Sequence, residues 1–339
     1  MTSIGFFTRL LDDAEPAERY RLAAEQIRHA EDTGFATAWV AQHHFNRDEG
    51  GLPSPLVFLA HVGAQTSRIR LGTGVICLPM EDAVRTAEDL VVADLLTDGR
   101  IDVGVSTGGT PSSFPAFGKD FADRYGLSEK ALQTLRDAWS GAPINGTPNR
   151  LYPSGHDLLD RIWQATFSVS GGERAGFAGD GLMLSRTQPR SDDAPDASLA
   201  DLQQPIIDAY QAALPSGRAA RILASRTAFV ADTREEALRW ADRGLRAAVA
   251  ASPRTFGGRV SADAPLSELI ARTDTHVGTA DDVAESLGAD ASLKHAGEVS
   301  FQVHSVDAPH REILRSLELL ATKVAPALGW TGARDQVAA

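Results

Sequence analysis

The feature that most constrains the fold is a regular alternation of short apolar segments and amphipathic helical segments in the first hundred residues. The apolar segments have strand length, and between them apolar residues recur at helical spacing. Such alternation is typical of parallel strands joined by crossover helices, because each helix must return the chain to the other end of the sheet. The pattern predicts strands at residues 4–8, 39–42, 69–78 and 101–106.

The alternation continues, less regularly, toward the C-terminus. Further strands are predicted at residues 162–170, 181–185, 225–231 and 299–304, with amphipathic helices between them. Eight strands with intervening helices predict an α/β fold that is a single (β/α)8 TIM barrel with insertions. A doubly wound open sheet is the alternative, and it is weaker because no glycine-rich dinucleotide fingerprint follows the first strand.

The chain carries no segment that would separate two domains. We expect one TIM-barrel domain over residues 1–330 and a C-terminal tail over 331–339. Insertions at the barrel rim are predicted around residues 110–160, 186–205 and 252–275, which are polar or rich in turn residues. Long loops of this kind are often functional.

Composition excludes several classes of protein. The net charge is −12 and the isoelectric point is near 5.2, which disfavours binding to nucleic acid or to an anionic membrane surface. Any phosphate would therefore be bound at a local site. The only cysteine, Cys77, excludes a disulfide framework and a cysteine-based zinc cluster. Neither a signal peptide nor a membrane-spanning run is apparent, so a cytoplasmic protein is expected.

Two adjacent histidines, His43 and His44, end the second predicted strand in the segment TAWVAQHHFN, residues 37–46. The carboxyl ends of barrel strands face the active site, so this pair is placed at the rim. Neighbouring strand residues point in opposite directions, so the two imidazoles do not readily share a metal. No other histidine or carboxylate spacing indicates a metal site, and we expect none. A lone strand-end histidine is more often structural than functional.

A second candidate site follows the fifth predicted strand. Ser168, Ser170, Gly171 and Gly172 precede Arg174 at the start of a helix, where free backbone N–H groups can bind a phosphate. The alternative is a simple helix cap by serine with glycines in the turn. The spacing alone leaves both interpretations open.

Glycines also interrupt the third predicted strand, at Gly72 and Gly74. A glycine within a strand indicates a bulge or the close approach of a ligand. Packing inside the barrel is the alternative explanation.

Several segments resemble the bacterial luciferase-like flavin monooxygenases, and the resemblance covers most of the chain. Each segment is short, but their order and spacing together are specific. The matching segments are WVAQHHF at 39–45, RLGTGV at 70–75, AED at 87–89, DGR at 98–100, FPAFGKD at 114–120, GTADDV at 278–283 and VAP at 324–326.

The resemblance implies a TIM barrel that binds FMN as a diffusible, often reduced, cosubstrate and uses it with O2 to oxygenate a small organic substrate. It implies that His43 is catalytic and leaves His44 as structural. Ser106 matches a small side chain that lies against the flavin ring. Thr73 and Gly74 are expected beside the flavin, and the Gly74–Val75 bond matches a position where members often have a non-proline cis peptide.

The sequence departs from the family pattern in three places. Gln42 replaces the glutamate that usually precedes the histidine pair, and Thr107 replaces an arginine that helps to hold the flavin or its phosphate. Asp82 and Ala83 replace a common His-Pro pair. We hypothesise that the segment from Ser168 to Arg174 carries more of the phosphate binding to compensate for the missing arginine.

The resemblance leaves three functions open. The first is an FMN-dependent monooxygenase supplied by a separate NAD(P)H:flavin reductase. The second is a deazaflavin-dependent oxidoreductase of the same family, and the third is a non-catalytic flavin-binding member. A homodimer is expected, since the second and third predicted helices, around residues 56–62 and at 81–96, carry apolar residues on more than one face.

Overall fold

The computed structural model describes residues 1–191, 193–251, 260–304 and 308–331. Its centre is a barrel of parallel strands. The strands are β1 (Ser3–Thr8), β2 (Thr37–Val40), β3 (Arg70–Thr73), β4 (Ile76–Cys77), β5 (Ile101–Ser106), β6 (Ile162–Thr166), β7 (Gly181–Leu184), β8 (Ile222–Val230), β9 (Thr275–Gly278) and β10 (Glu298–Gln302).

The last strand closes the barrel, because β10 pairs in parallel with both β1 and β8. Around the ring the order is β1, β2, β3, β5, β6, β7, β8 and β10. The short β4 continues the line of β3 and pairs with β5, while β9 lies outside the barrel on the last four residues of β8. The predicted TIM barrel is confirmed, and the open sheet is excluded.

Helices surround the barrel and bury their apolar faces against the outer side of the strands. The first helix begins with Pro16, whose fixed φ suits the first helical turn. The helices are α1 (Pro16–Thr33), α2 (Pro55–Gly63), α3 (Ala83–Leu96), α4 (Arg124–Trp139), α5 (Val169–Phe177), α6 (Leu199–Ala213), α7 (Arg234–Ala251), α8 (Leu266–Arg272), α9 (Ala280–Gly288), α10 (His310–Leu319) and α11 (Ala325–Ala327). None of those described is long and apolar enough to span a membrane.

Two tryptophans fill the barrel interior, each lying across a glycine on the next strand. Trp39 pairs in register with Gly72, and a Cβ at Gly72 would lie 2.1 Å from the indole. Trp163 has the same relation to Gly181, with a separation of 2.2 Å. The two indoles meet edge to face with their centroids 5.8 Å apart. Gly72 therefore serves packing.

A buried carboxyl group anchors the first of these tryptophans. Glu298 Oε1 accepts hydrogen bonds from Trp39 Nε1 at 2.7 Å and from Thr37 Oγ1 at 2.5 Å. Burial raises the pKa of Glu298 to about 7, although both hydrogen bonds act in the opposite direction. The network joins β2 to β10 inside the barrel.

Several predicted strands are shifted at their ends, such as the second, which spans Thr37–Val40 instead of residues 39–42. Two others differ more. The third is divided into β3 and β4 on either side of Gly74 and Val75, whose peptide bond is cis. The fifth ends at Thr166 rather than at residue 170, because the Ser168 side chain accepts a hydrogen bond from Gly171 N and begins α5. Local capping thus decides where this strand ends.

The predicted rim insertions contain more regular structure than expected. In the 186–205 segment, a capping box between Ser198 and Asp201 starts α6, and the helix continues through Pro205. In the 252–275 segment, residues 252–259 lie outside the described residues, and α8 and β9 were not predicted. The tail beyond residue 331 also lies outside them. The single-domain organisation stays a prediction.

The Gly72→Ala substitution is expected to lower the free energy of unfolding by about 1–3 kcal/mol, because the added methyl group overlaps the Trp39 ring. Chemical denaturation measures this change. Gly126→Ala is the matched control, since a Cβ there meets no atom within 4 Å, and it should not destabilise the protein. Wild-type stability with impaired flavin binding in Gly72→Ala would instead favour ligand approach as the reason for the glycine.

Candidate active site at the barrel rim

The carboxyl ends of β2, β4 and β5 bring the first group of candidate residues together. Val40 pairs with Thr73 and Cys77 pairs with Ser106, so the strand ends stand at one rim. Gly74 directly follows β3, and His43 follows β2 after Ala41 and Gln42. An open depression of about 630 Å³ lies at the opposite end of the barrel, between α1 and residues 64–68. The described residues contain no group of three or more potential metal ligands.

His43 is held in place by its backbone and by a neighbouring loop. Its N–H donates to Leu52 O at 3.0 Å, and a Cβ at Gly50 would lie 2.7 Å from the imidazole. The ring nitrogen Nδ1 is 3.9 Å from Glu49 Oε2, which in turn accepts a hydrogen bond from Thr110 Oγ1 at 3.2 Å. The loop thus fixes the ring and brings one carboxylate to it.

The surroundings of His43 favour its neutral form. Burial lowers its pKa; the nearby Glu49 carboxylate opposes this, and the guanidinium groups of Arg9 and Arg186 add to the lowering. At neutral pH the imidazole therefore has a free lone pair and can accept a proton.

His44 lies in a different environment. Its ring packs edge to face on Phe117 with centroids 4.8 Å apart, and it also contacts Phe45. Burial and the neighbouring His43 lower its pKa. The aromatic surroundings are consistent with the structural assignment of His44.

Gln42, one of the departures from the family pattern, is buried and uses both ends of its amide. Its Oε1 accepts a hydrogen bond from Cys77 N at 2.7 Å, and its Nε2 donates to Glu81 Oε1 at 2.6 Å. A glutamate at this position would place two carboxylates against each other. Glu81 thus supplies a carboxylate beside the position where the family usually has one.

Thr73 and Gly74 lie where the third strand is interrupted. The Thr73 hydroxyl accepts from Gly104 N and donates to Gly104 O, so it replaces ladder contacts and is fully buried. The expected cis peptide between Gly74 and Val75 is confirmed. Ser106 Oγ accepts a hydrogen bond from Gly108 N at 3.2 Å and lies 4.0 Å from Cys77 Sγ.

The second group of candidates is divided between the surface and the interior of α5. Ser168 caps the helix through Gly171 N at 3.1 Å, and its Oγ is 3.3 Å from Ser170 Oγ. Both serines and Arg174 are exposed. Gly171 and Gly172 are buried and closely packed. A Cβ would lie 1.9 Å from Thr166 Oγ1 at Gly171 and 2.6 Å from Ile206 O at Gly172.

Three rim residues were not singled out from the sequence, namely Arg9, Glu49 and Arg186. Arg9 directly follows β1, so its strand-end position could have indicated it. Glu49 and Arg186 lie in loops and carry no spacing signal. Their relation to His43 depends on the closed barrel.

The sequence and the fold of this chain both have known relatives. The family model for luciferase-like monooxygenases matches residues 2–295. The 4-hydroxyprotoasukamycin monooxygenase of Streptomyces nodosus subsp. asukaensis is 31% identical over 326 residues, covering 90% of this chain and 85% of that protein.

Solved structures share the fold over almost their whole length. The oxygenating constituent of 3,6-diketocamphane monooxygenase from Pseudomonas putida, in complex with FMN, has a TM-score of 0.79 at 18% identity, covering 96% of this chain and 99% of that chain. The coenzyme F420 dependent tetrahydromethanopterin reductase from Methanopyrus kandleri has a TM-score of 0.67 at 17% identity, with coverage of 96% and 99%.

The Gln42→Glu substitution is expected to lower the free energy of unfolding at neutral pH by about 1–3 kcal/mol, because it removes a donor and faces the Glu81 carboxylate. The loss should shrink as the pH falls and one carboxyl becomes protonated. The double variant Gln42→Glu/Glu81→Gln exchanges donor and acceptor and should recover most of the stability. Equal stability of the single and double variants in denaturant titrations would contradict this account.

Proposed function

The chain belongs to the luciferase-like monooxygenase family, and on that basis we propose that it uses reduced FMN and O2 to oxygenate a small organic substrate. The observation that supports this most directly is that His43, Gly74 and Ser106 lie near the carboxyl ends of neighbouring strands, at the same rim of the barrel. A neutral imidazole, a position without a side chain and a small hydroxyl meet at one rim. This set suits a flat ring system with a proton acceptor beside it.

The residues present fit a flavin mononucleotide. Ser106 presents only a small side chain at the rim, while the exposed start of α5 offers the hydroxyls of Ser168 and Ser170 for the phosphate. Arg174 lies about one helical turn further on and supplies a positive charge. A Cβ at Gly74 would lie 3.2 Å from both Phe7 and Trp39, so the missing side chain allows close packing at that position. Reduced FMN would supply the electrons for oxygen activation, and we expect a separate NAD(P)H:flavin reductase to provide it.

His43 is proposed as the catalytic residue. Its lowered pKa keeps a lone pair available at neutral pH, so it can accept a proton or a hydrogen bond at the reacting group. The Glu49 carboxylate, 3.9 Å from Nδ1, stabilises the protonated ring once it has formed.

The His43→Ala variant should slow the oxygen-dependent reoxidation of enzyme-bound reduced FMN by at least about 100-fold. The wild-type rate should fall at low pH, when the ring is protonated, with a midpoint below the ordinary histidine pKa. Glu49→Gln should move that midpoint to lower pH, because it removes the group that raises the pKa of His43. Stopped-flow absorbance over a pH series measures both effects. A wild-type rate equal to that of His43→Ala would favour the non-catalytic family member.

The phosphate assignment is testable by equilibrium binding. Ser170→Ala and Arg174→Ala should each weaken FMN binding by about threefold to tenfold, since each removes one donor. Arg311→Ala is the control, because that arginine is exposed and pairs only with Glu312 among the described residues. Unchanged FMN affinity in both serine and arginine variants would contradict the assignment.

A deazaflavin is the second candidate cofactor, supported by the shared fold of an F420 dependent reductase. Both cofactors have a tricyclic ring that the rim could accept. Titration of the same purified protein with FMN and with F420, followed by absorbance, distinguishes them. Tighter binding of F420 than of FMN would favour a hydride-transferring oxidoreductase over the proposed monooxygenase.

We also propose a homodimer formed through α2 and α3. Four apolar side chains on these adjacent helices are exposed, namely Val57, Val92, Leu95 and Leu96. Burying such a patch against a second copy removes apolar surface from water. Light scattering should give the mass of two chains for wild type and of one chain for Leu96→Glu, whereas Phe177→Glu, at an exposed position on α5, should stay dimeric. A single-chain mass for wild type would contradict the proposal.

A further inference from the structure

A cavity of about 230 Å³ lies at the barrel rim, on the arc formed by β7, β8, β10 and β1. The predicted flavin residues lie on the other arc, at the ends of β3 to β6. Four arginines and one aspartate line the cavity, so it is locally basic although the chain has a net charge of −12. The four are Arg9, Arg19, Arg47 and Arg186.

Two of these arginines are already engaged elsewhere. Arg19 donates to the backbone carbonyls of Ala14, Leu10 and Arg47, and Arg47 is exposed and lies 3.7 Å from Asp13. These contacts account for their positions. Arg9 and Arg186 are different.

Arg186 is fixed to the mouth of the barrel with part of its guanidinium left over. Its Nε donates to Gln302 Oε1 at 2.7 Å and its Nη1 to Thr227 Oγ1 at 3.1 Å. Gln302 and Thr227 are register partners on β10 and β8, so the side chain is held by two strands. Within the described part of the chain, Nη2 has no hydrogen-bond partner and no carboxylate forms an ion pair with this residue.

Arg9 has an unsatisfied donor at the same cavity. Its Nε is buried and has no hydrogen-bond partner among the described residues. Burial lowers the pKa of Arg9 to about 10, although the Glu49 carboxylate opposes this effect. Burial and the charge of Arg9 lower the pKa of Arg186 to about 9. Both remain positive at neutral pH. Two buried like charges with spare donors are stabilised by an anion placed between them.

The apolar part of the cavity lining comes from Leu11 and from α7. The helix contributes Gly244, Leu245, Ala247, Ala248 and Ala251. Four threonines and His304 complete the lining. The cavity thus offers cationic groups for an anion and an apolar surface for a hydrocarbon body.

The cavity adjoins the proposed catalytic histidine. Both arginines lie close enough to His43 to lower its pKa, and Arg9 O accepts a hydrogen bond from Gly51 N in the loop that holds the imidazole. A molecule anchored at the arginines would therefore lie close to His43.

We propose that Arg9 and Arg186 bind the carboxylate of the substrate, which is an organic acid with an apolar body lying along α7. A guanidinium group matches a carboxylate in both geometry and charge, which gives orientation as well as affinity. The assignment rests on the proposed monooxygenase function, because it identifies the bound acid with the molecule to be oxygenated.

Calorimetric titration of the flavin-free full chain with hexanoate, and with hexanamide as its neutral counterpart, tests the subsite. Wild type should bind hexanoate at least about tenfold more tightly than hexanamide. Arg9→Gln and Arg186→Gln should each remove most of this preference, and Arg186→Lys should retain part of it. Arg47→Gln, at the exposed edge of the same cavity, is the control and should keep it. Near-ultraviolet circular dichroism confirms that each variant is folded.

Three results would overturn the assignment. They are equal binding of the two probes by wild type, tighter binding of hexyl phosphate than of hexanoate, and arginine variants that weaken FMN binding while leaving hexanoate unaffected. The last result would mean that the pair serves the flavin. Because the probes are titrated without flavin, wild type that selects hexanoate but binds no FMN would reject the proposed function and keep the anion site.

Discussion

The position of Trp39 inside the barrel is the constraint on which the rest of the structure depends. Its ring needs the space that Gly72 leaves, its N–H needs the Glu298 carboxyl group, and its edge meets Trp163. These contacts join β2, β3, β6 and β10 at one level. Because large side chains fill the interior there, a ligand is confined to the layer above, at the carboxyl ends of the strands.

In that upper layer, a carboxylate is retained although Gln42 replaces the usual glutamate. Gln42 lacks the charge of the usual family residue, yet its amide bonds to Glu81 and keeps a carboxylate nearby. The layer also separates two kinds of charge environment. The start of α5 is open and mildly polar, whereas the arc around Arg9 and Arg186 concentrates positive charge in an acidic protein. Selective local charge of this kind gives specificity without making the whole surface basic.

Much of the barrel could be predicted because its strands are short, apolar and regularly spaced. The errors occurred where a local interaction overrode that pattern. Ser168 ended β6 earlier than its residues suggested, and the capping box at Ser198 started α6 ahead of Pro205. The strand β9 was not predicted because it lies outside the alternation of barrel strands and helices. Among the described residues, it pairs with the last four residues of β8.

The sequence by itself determined the barrel and the positions of His43 and Ser106 near strand ends, because alternation and strand ends are local properties of the chain. Gly74 was predicted inside a strand, and the structure places it directly after β3. Only the tertiary structure decided which side chains meet. Gln42 with Glu81, and Arg186 with Gln302 and Thr227, are brought together by barrel closure, which joins segments far apart in sequence. No local pattern encodes such a meeting, since each residue alone suits an ordinary loop or strand end.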